Sequence, residues 1–280
     1  MKLRTSSMLA LVLVFSLLAV SAHADSVDLG PAISFGLIGG TISNTGTSVV
    51  TGNVGATGTI TGFNPTGTAT GTVYPAGDPT AVAAYDAVFS PSVGAFSTAE
   101  GLIPTGSFTT NTSQTFYGNT VYASSGTIST TTGTTLTFDA QGNPSALFII
   151  QIDGALTVNG AMTFRLENGA QADNIFWIVE DAATISVGSS GPIVFDGSIL
   201  AGDTFTMSAG SGGSGTLAGT INGCVFAENA NTLAGTTNVG GCAHTSAGPP
   251  TPVPEPGSMA LLGSGLFALA GVVRKRKPRK

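Results

Sequence analysis

Charge is scarce in this sequence. Only 9% of its 280 residues are Asp, Glu, Lys or Arg, against roughly 25% in ordinary globular domains. Between Arg4 and Arg274 the only basic residue is Arg165, and the net charge is −6. Nucleic-acid binding is excluded, because neutralising phosphate requires a basic face. The same shortage argues against catalysis. Polysaccharide-cleaving sites use paired carboxylates, or a base with a cation and Arg or Lys beside it. Here the acids are scattered, from Asp139, Asp153 and Glu167 to Asp196, Asp203 and Glu228. Glu180 and Asp181 are neighbours, so on a strand they would point to opposite faces, and a corner turn is their expected place. The two histidines, His23 and His244, leave a metal few ligands. The run Gly210-Ser211-Gly212-Gly213-Ser214-Gly215 lacks the Lys and following helix of a phosphate loop and reads as a corner. No catalytic residue, metal or cofactor is expected.

Gly, Thr, Val and Ile are plentiful instead, and they point to many short strands joined by tight turns. One phrase, apolar-Thr-apolar, returns as Leu136-Thr137-Phe138, Leu156-Thr157-Val158 and Phe205-Thr206-Met207. Imperfect copies stand at Ala183-Thr184-Ile185 and Asn231-Thr232-Leu233. The Thr-to-Thr steps are 157−137 = 20, 184−157 = 27, 206−184 = 22 and 232−206 = 26. An irregular period of this size is that of solenoid coils whose corner loops vary in length. Alternation sends the apolar residues inward and the Thr outward. Stacking then predicts one outward file of Thr137, Thr157, Thr184, Thr206 and Thr232. A second column, Ala155, Ala182, Thr204 and Ala230, is expected beside it, with Ser186 at the next outward position.

Two nearly continuous apolar runs, Ala146 to Ile150 and Asn174 to Val179, read as strands covered on both faces. Residues 79–90 alone carry a helical period. Pro79 fits the first turn, Pro91 stops the helix, and Val82, Tyr85 and Phe89 share an apolar face.

The two ends differ from the middle. Lys2 and Arg4, the apolar run Met8 to Val20 and Ala22-His23-Ala24 make residues 1–24 an expected secretory signal peptide. Export permits a disulfide between Cys224 and Cys242; two free thiols, or a zinc site with His244 as third ligand, are the alternatives. Residues 246–256 form a Pro-rich linker, and 257–280 comprise an uncharged stretch, Gly257 to Val273, followed by a basic cluster. That stretch meets the lower limit for a bilayer span, with the basic cluster on the cytoplasmic side. Pro254-Glu255-Pro256 directly before it makes the whole tail resemble the PEP-CTERM sorting signal of Gram-negative bacteria. The resemblance implies transient inner-membrane anchoring, cleavage by an exosortase near Pro254–Pro256, and release to the cell envelope or extracellular exopolysaccharide.

The domain between, residues 25–245, also resembles a known family. Thr41-Ile42-Ser43-Asn44-Thr45-Gly46, Val50-Thr51-Gly52-Asn53-Val54-Gly55, Leu136 to Pro144 and Asn168 to Trp177 look like bacterial and fungal ice-binding proteins of the β-solenoid type. The resemblance implies a mainly β fold: a right-handed discontinuous β-solenoid (β-helix), triangular in cross-section, with one α-helix packed alongside. It also implies that N-terminal strands pack next to C-terminal coils. The expected activity is binding of ice through a flat face holding Thr137, Thr157, Thr184, Ser186, Thr204, Thr206 and Thr232. The alternative is a structural or adhesive matrix protein associated with exopolysaccharide and without ice activity. Protein recovered after export should begin at Asp25 by N-terminal mass spectrometry; recovery with residues 1–24 still attached would contradict the signal peptide.

Overall fold

The computed structural model of the chain describes residues 27–242, apart from 64–65, 131–132, 161, 188–191 and 209–216. The expected signal peptide, linker and tail lie outside the described residues. Within them, alternating apolar residues make short strands, and each strand pairs in parallel with its counterpart in the next coil. Phe148–Ile152 pairs with Ile175–Val179, Leu156–Asn159 with Ala183–Ser186, and Thr135–Asp139 with Thr163–Glu167. Every such coil therefore adds one rung to each of three strand stacks, here called the first, second and third faces.

Rung order is not chain order. The long strands Phe35–Asn44 and Val225–Ala234 pair along their length, so the first coil of the domain stacks on the last. Asn53–Ala56 and Ile60–Thr61 then stack on Phe35–Asn44, and Val73 bridges to Val54 beyond them. Both long strands pass through a corner: residues 35–39 and 225–227 belong to the first face, 41–44 and 230–234 to the second. The third face is interrupted. Gln114–Tyr117, Thr135–Asp139 and Thr163–Glu167 form one sheet, and the strands from Ile193–Asp196 onward form another.

The interior is filled by the inward residues of all three faces. Phe116 stacks on Phe138 at 4.9 Å between ring centroids, and Trp177, whose Nε1 donates to the Asp196 carbonyl at 3.0 Å, packs against Phe195 at 5.2 Å. The first face is buried on both sides, as its unbroken apolar runs predict. Phe148, Ile150 and Ile152 point into the coil, while Ile149, Phe176, Ile178, Leu200 and Phe226 pack outward against two helices.

Helix α1, Pro79–Phe89, starts where the Asp78 side chain accepts from the Thr80 amide at 2.8 Å and ends at Ser90, before Pro91. Its buried face is Ala81, Ala84 and Val88 together with Phe89, and this corrects the expected stripe: Val82 and Tyr85 are only half-buried. The cause is close approach. A Cβ on Gly55 would lie 2.8 Å from the Ala81 Cβ, so only the smallest side chains fit between helix and strand. Tyr85 is left at the rim, donating to the Glu228 carbonyl at 2.9 Å. A second helix, α2 (Ala95–Glu100), has too few residues for a periodic signal. The Gln151 amide donates to the carbonyls of Ala99, Glu100 and Leu102 at 2.8, 3.0 and 2.9 Å and so satisfies the end of α2.

Cys224 and Cys242 are disulfide-bonded, with Cα atoms 4.8 Å apart. The bond ties the chain leaving the Thr236–Val239 strand to the buried start of Val225–Ala234. Replacing both cysteines by Ser should lower stability by about 3 kcal/mol for a loop of this length, read as a fall in Tm; an unchanged Tm would contradict a stabilising clamp.

Candidate functional site

Among the described residues, the second face is a large surface that no helix covers and no charge interrupts. Its rungs pair in register, so that Ser129, Thr157, Thr184, Thr206, Thr232, Ser43 and Thr61 form one continuous file. On one side of it runs Asn159, Ser186, Ser208 and Ala234. On the other stand Thr204, Ala230 and Thr41, continued by Ala155 and Ala182 at the matching position one residue before their strands. Rungs are about 4.8 Å apart and outward neighbours along a strand about 6.7 Å apart, twice the rise per residue. Beneath the file lie fully buried Leu156, Val158, Ala183, Ile185, Phe205, Met207 and Leu233, which clamp the strands from inside.

The hydroxyls face water. Among the described residues, no protein group hydrogen-bonds the side chains of Thr157, Thr184, Thr206 or Thr232. Ser186 and Ser208 bond one another at 3.1 Å. At one end the file is closed by Thr110, whose hydroxyl accepts from the Ser129 amide at 2.9 Å and stands in for a further strand.

The other surfaces lack these properties. On the third face Tyr117, Val194 and Val49 protrude, and exposed Arg165 and Glu167 form an ion pair at 3.7 Å. Acids collect at the corner between the first and second faces, where Asp153, Glu180, Asp181 and Asp203 fall between strands and Glu228 stands at the bend of Val225–Ala234. The pKa of Glu180 is raised, chiefly because its carboxyl hydrogen-bonds Asp153 and secondarily by the charge there. Asp196, on the third face, also titrates high because it is largely buried, an effect opposed by the Asn222 amide donating to it at 2.7 Å. No group of three His, Cys, Asp or Glu side chains able to hold a metal occurs among the described residues.

Thr157, Thr184, Ser186, Thr204, Thr206 and Thr232 thus lie on one face. Thr137 does not, and its assignment to the file is corrected here: it pairs with Thr115 and Arg165 on the third face. An apolar-Thr-apolar phrase has the same period on every face, and the step of 20 from Thr137 to Thr157 is one coil less one face. The rung above Ser129 is reached after 157−129 = 28 residues. Sequence reasoning also missed the N-terminal contribution of Thr41, Ser43, Thr59 and Thr61. A usable signal existed in Thr41-Ile42-Ser43 and Thr59-Ile60-Thr61, which repeat the pattern of Thr127-Ile128-Ser129. That signal would still have admitted Thr135-Leu136-Thr137 on the wrong face.

Residues 37–239 match the ice-binding-like family model. The chain belongs to the ice-binding-like family. An ice-binding protein of Nostoc sp. (strain HG1) is 32% identical over 283 aligned residues, covering 98% of this chain and 96% of that protein. The ice-binding protein K3-B1 of Typhula ishikariensis is 31% identical and covers 70% of this chain and 85% of its own length. Among solved structures, an ice-binding protein from the Antarctic ascomycete Antarctomyces psychrotrophicus superposes with a TM-score of 0.64 at 31% identity, over 76% of this chain and 97% of that one. Residues 252–277 match the PEP-CTERM protein-sorting motif.

Proposed function

We propose that the exported protein binds ice, and that the second face is the contact surface. On this reading the coils form a right-handed β-solenoid of triangular section, with Thr157, Thr184, Ser186, Thr204, Thr206 and Thr232 meeting the ice. The observation that carries it is the register of the uncharged Ser/Thr file, on a face that among the described residues bears no helix and no ion pair. Ice binding needs no proton transfer and no nucleophile. It needs a level, stiff surface on which water takes up lattice-like positions before freezing joins it to the crystal. Threonine supplies a methyl that restricts the choices open to hydration water, a hydroxyl that holds one molecule, and a β-branched side chain with few rotamers. Parallel strands with a close-packed interior supply the stiffness.

The sorting motif supports export, with exosortase cleavage after transient insertion in the inner membrane and final placement in the envelope or outside the cell. Association with exopolysaccharide would be the main role only if ice were not bound. Nothing in the reading requires an enzyme.

The mature chain should inhibit ice recrystallisation and shape growing ice crystals. Thr206→Tyr, which raises a ring in the middle of the file, should abolish both without changing Tm, while Thr137→Tyr on the third face should leave them intact. Crystals growing as in buffer alone would reject ice binding, and equal loss in both variants would reject the choice of face.

A further inference from the structure

We infer that Asn231, buried under the second face, is a positioning residue that sets the two N-terminal rungs level with the others; the inference rests on that face being the ice-contact surface. Asn231 pairs with Phe205 on one side and Ile42 on the other, in an inward file otherwise made of Ile128, Leu156, Ala183, Phe205, Ile42 and Ile60. It is the polar member of that file, and it is fully buried. Among the described residues its Oδ1 has no hydrogen-bond partner, so the amide's described bonding is one-sided. Burial of an amide in an apolar file is unfavourable unless it makes a bond that nothing else can make. That bond is from Nδ2 to the carbonyl of Ile38, at 2.7 Å.

Ile38 belongs to the first-face half of the Phe35–Asn44 strand, so this contact reaches across the corner at which both long strands turn. The corner is irregular. Gly39 pairs with Ala227 and Thr41 with Ala230, which leaves Glu228 and Asn229 opposite Gly40 alone. A two-against-one mismatch is the place where a parallel pair can slip, and a slip of one residue would turn Thr41 and Ser43 inward and Ile42 outward. The Asn231 amide packs so tightly against Gly39 that a Cβ there would collide with Nδ2; a Cβ on Gly40 would collide with the Asn229 carbonyl. The amide therefore holds Ile38 and Gly39 in one place relative to the second-face strand. Ile60 and Thr61 pair with Ile42 and Ser43 and inherit whatever register this contact sets. One buried side chain thus governs whether Thr41, Ser43 and Thr61 continue the grid of Thr206 and Thr232.

The test is thermal hysteresis of the mature protein at the freezing point, comparing wild type, Asn231→Leu, Asn231→Asp and Thr206→Tyr. Leu keeps the volume and removes the donor; Asp keeps the shape and removes the amide hydrogens. The expected result is that Asn231→Leu is folded in the cold by circular dichroism and has lost hysteresis to the level of Thr206→Tyr, with Asn231→Asp changed in the same direction. A purely stabilising role would lower Tm yet leave hysteresis at the freezing point unchanged, because the variant is still folded there, and that result overturns the inference. Failure of both variants to fold in the cold overturns it too, since Asn231 would then be a requirement of the core. Full activity in the Asn231 variants with none in Thr206→Tyr sinks this inference alone, whereas an inactive wild type sinks the reading of the face and this inference with it.

Discussion

Parallel backbone pairing between successive rungs is the constraint on which the rest of this molecule depends. Side chains alternate along a strand, so one residue of slippage exchanges the inside and the outside of a whole rung. Register is therefore held wherever a rung buries Leu, Ile or Phe on one side. Ile185 and Met207 cannot turn outward to let Thr184 and Thr206 turn inward without exposing the core. The same apolar interior that stabilises the coil also places residues distant in sequence beside one another. Ser43 and Thr232, 232−43 = 189 positions apart, are neighbours on the surface.

The three faces divide the demands on the fold. The first is covered by α1 and α2, and it carries the apolar residues that make a second, outer core. The third is broken between Thr163–Glu167 and Ile193–Asp196 and bears the ion pair and the protruding side chains. Irregularity of this sort is tolerated there because nothing needs that surface to be level. Among the described residues the second face carries Thr, Ser, Ala and Asn side chains outward, and its two ends are finished by local devices. The Thr110 hydroxyl completes one edge, and near the other Asn44 bridges neighbouring coils, donating to the Gly46 and Gly62 carbonyls at 2.8 Å each.

Much of this was legible in the sequence, and what was not has a common cause. The doubly buried strands were evident from Ile149 and Phe176 standing between other apolar residues, and the inward or outward sense of Thr157, Thr184, Thr206 and Thr232 follows from alternation. The face on which a strand lies is not encoded in a period of two. Leu136-Thr137-Phe138 and Leu156-Thr157-Val158 are indistinguishable by pattern, and only coil pairing separates them. That N-terminal strands pack next to C-terminal coils comes from the family resemblance alone; Ser43 and Thr61 are absent from the expected file because their partner, Val225–Ala234, lies at the other end of the domain and no local signal names it. The buried face of α1 differs from the expected one because Tyr85 and Val82 offer more apolar surface than Ala81, whereas the gap between Ala81 and Gly55 admits only alanine. Burial there is decided by distance before hydrophobicity.

On the proposed reading, a level grid of hydroxyls and methyls orders water before ice forms. A crystal structure of the mature domain at a resolution that shows solvent tests this most directly. Ranks of ordered water are expected in the troughs between the files, repeating at the rung spacing and continuing from Thr157 and Thr206 across to Ser43 and Thr61. Solvent over the second face as irregular as that over Tyr117 and Arg165 would contradict it.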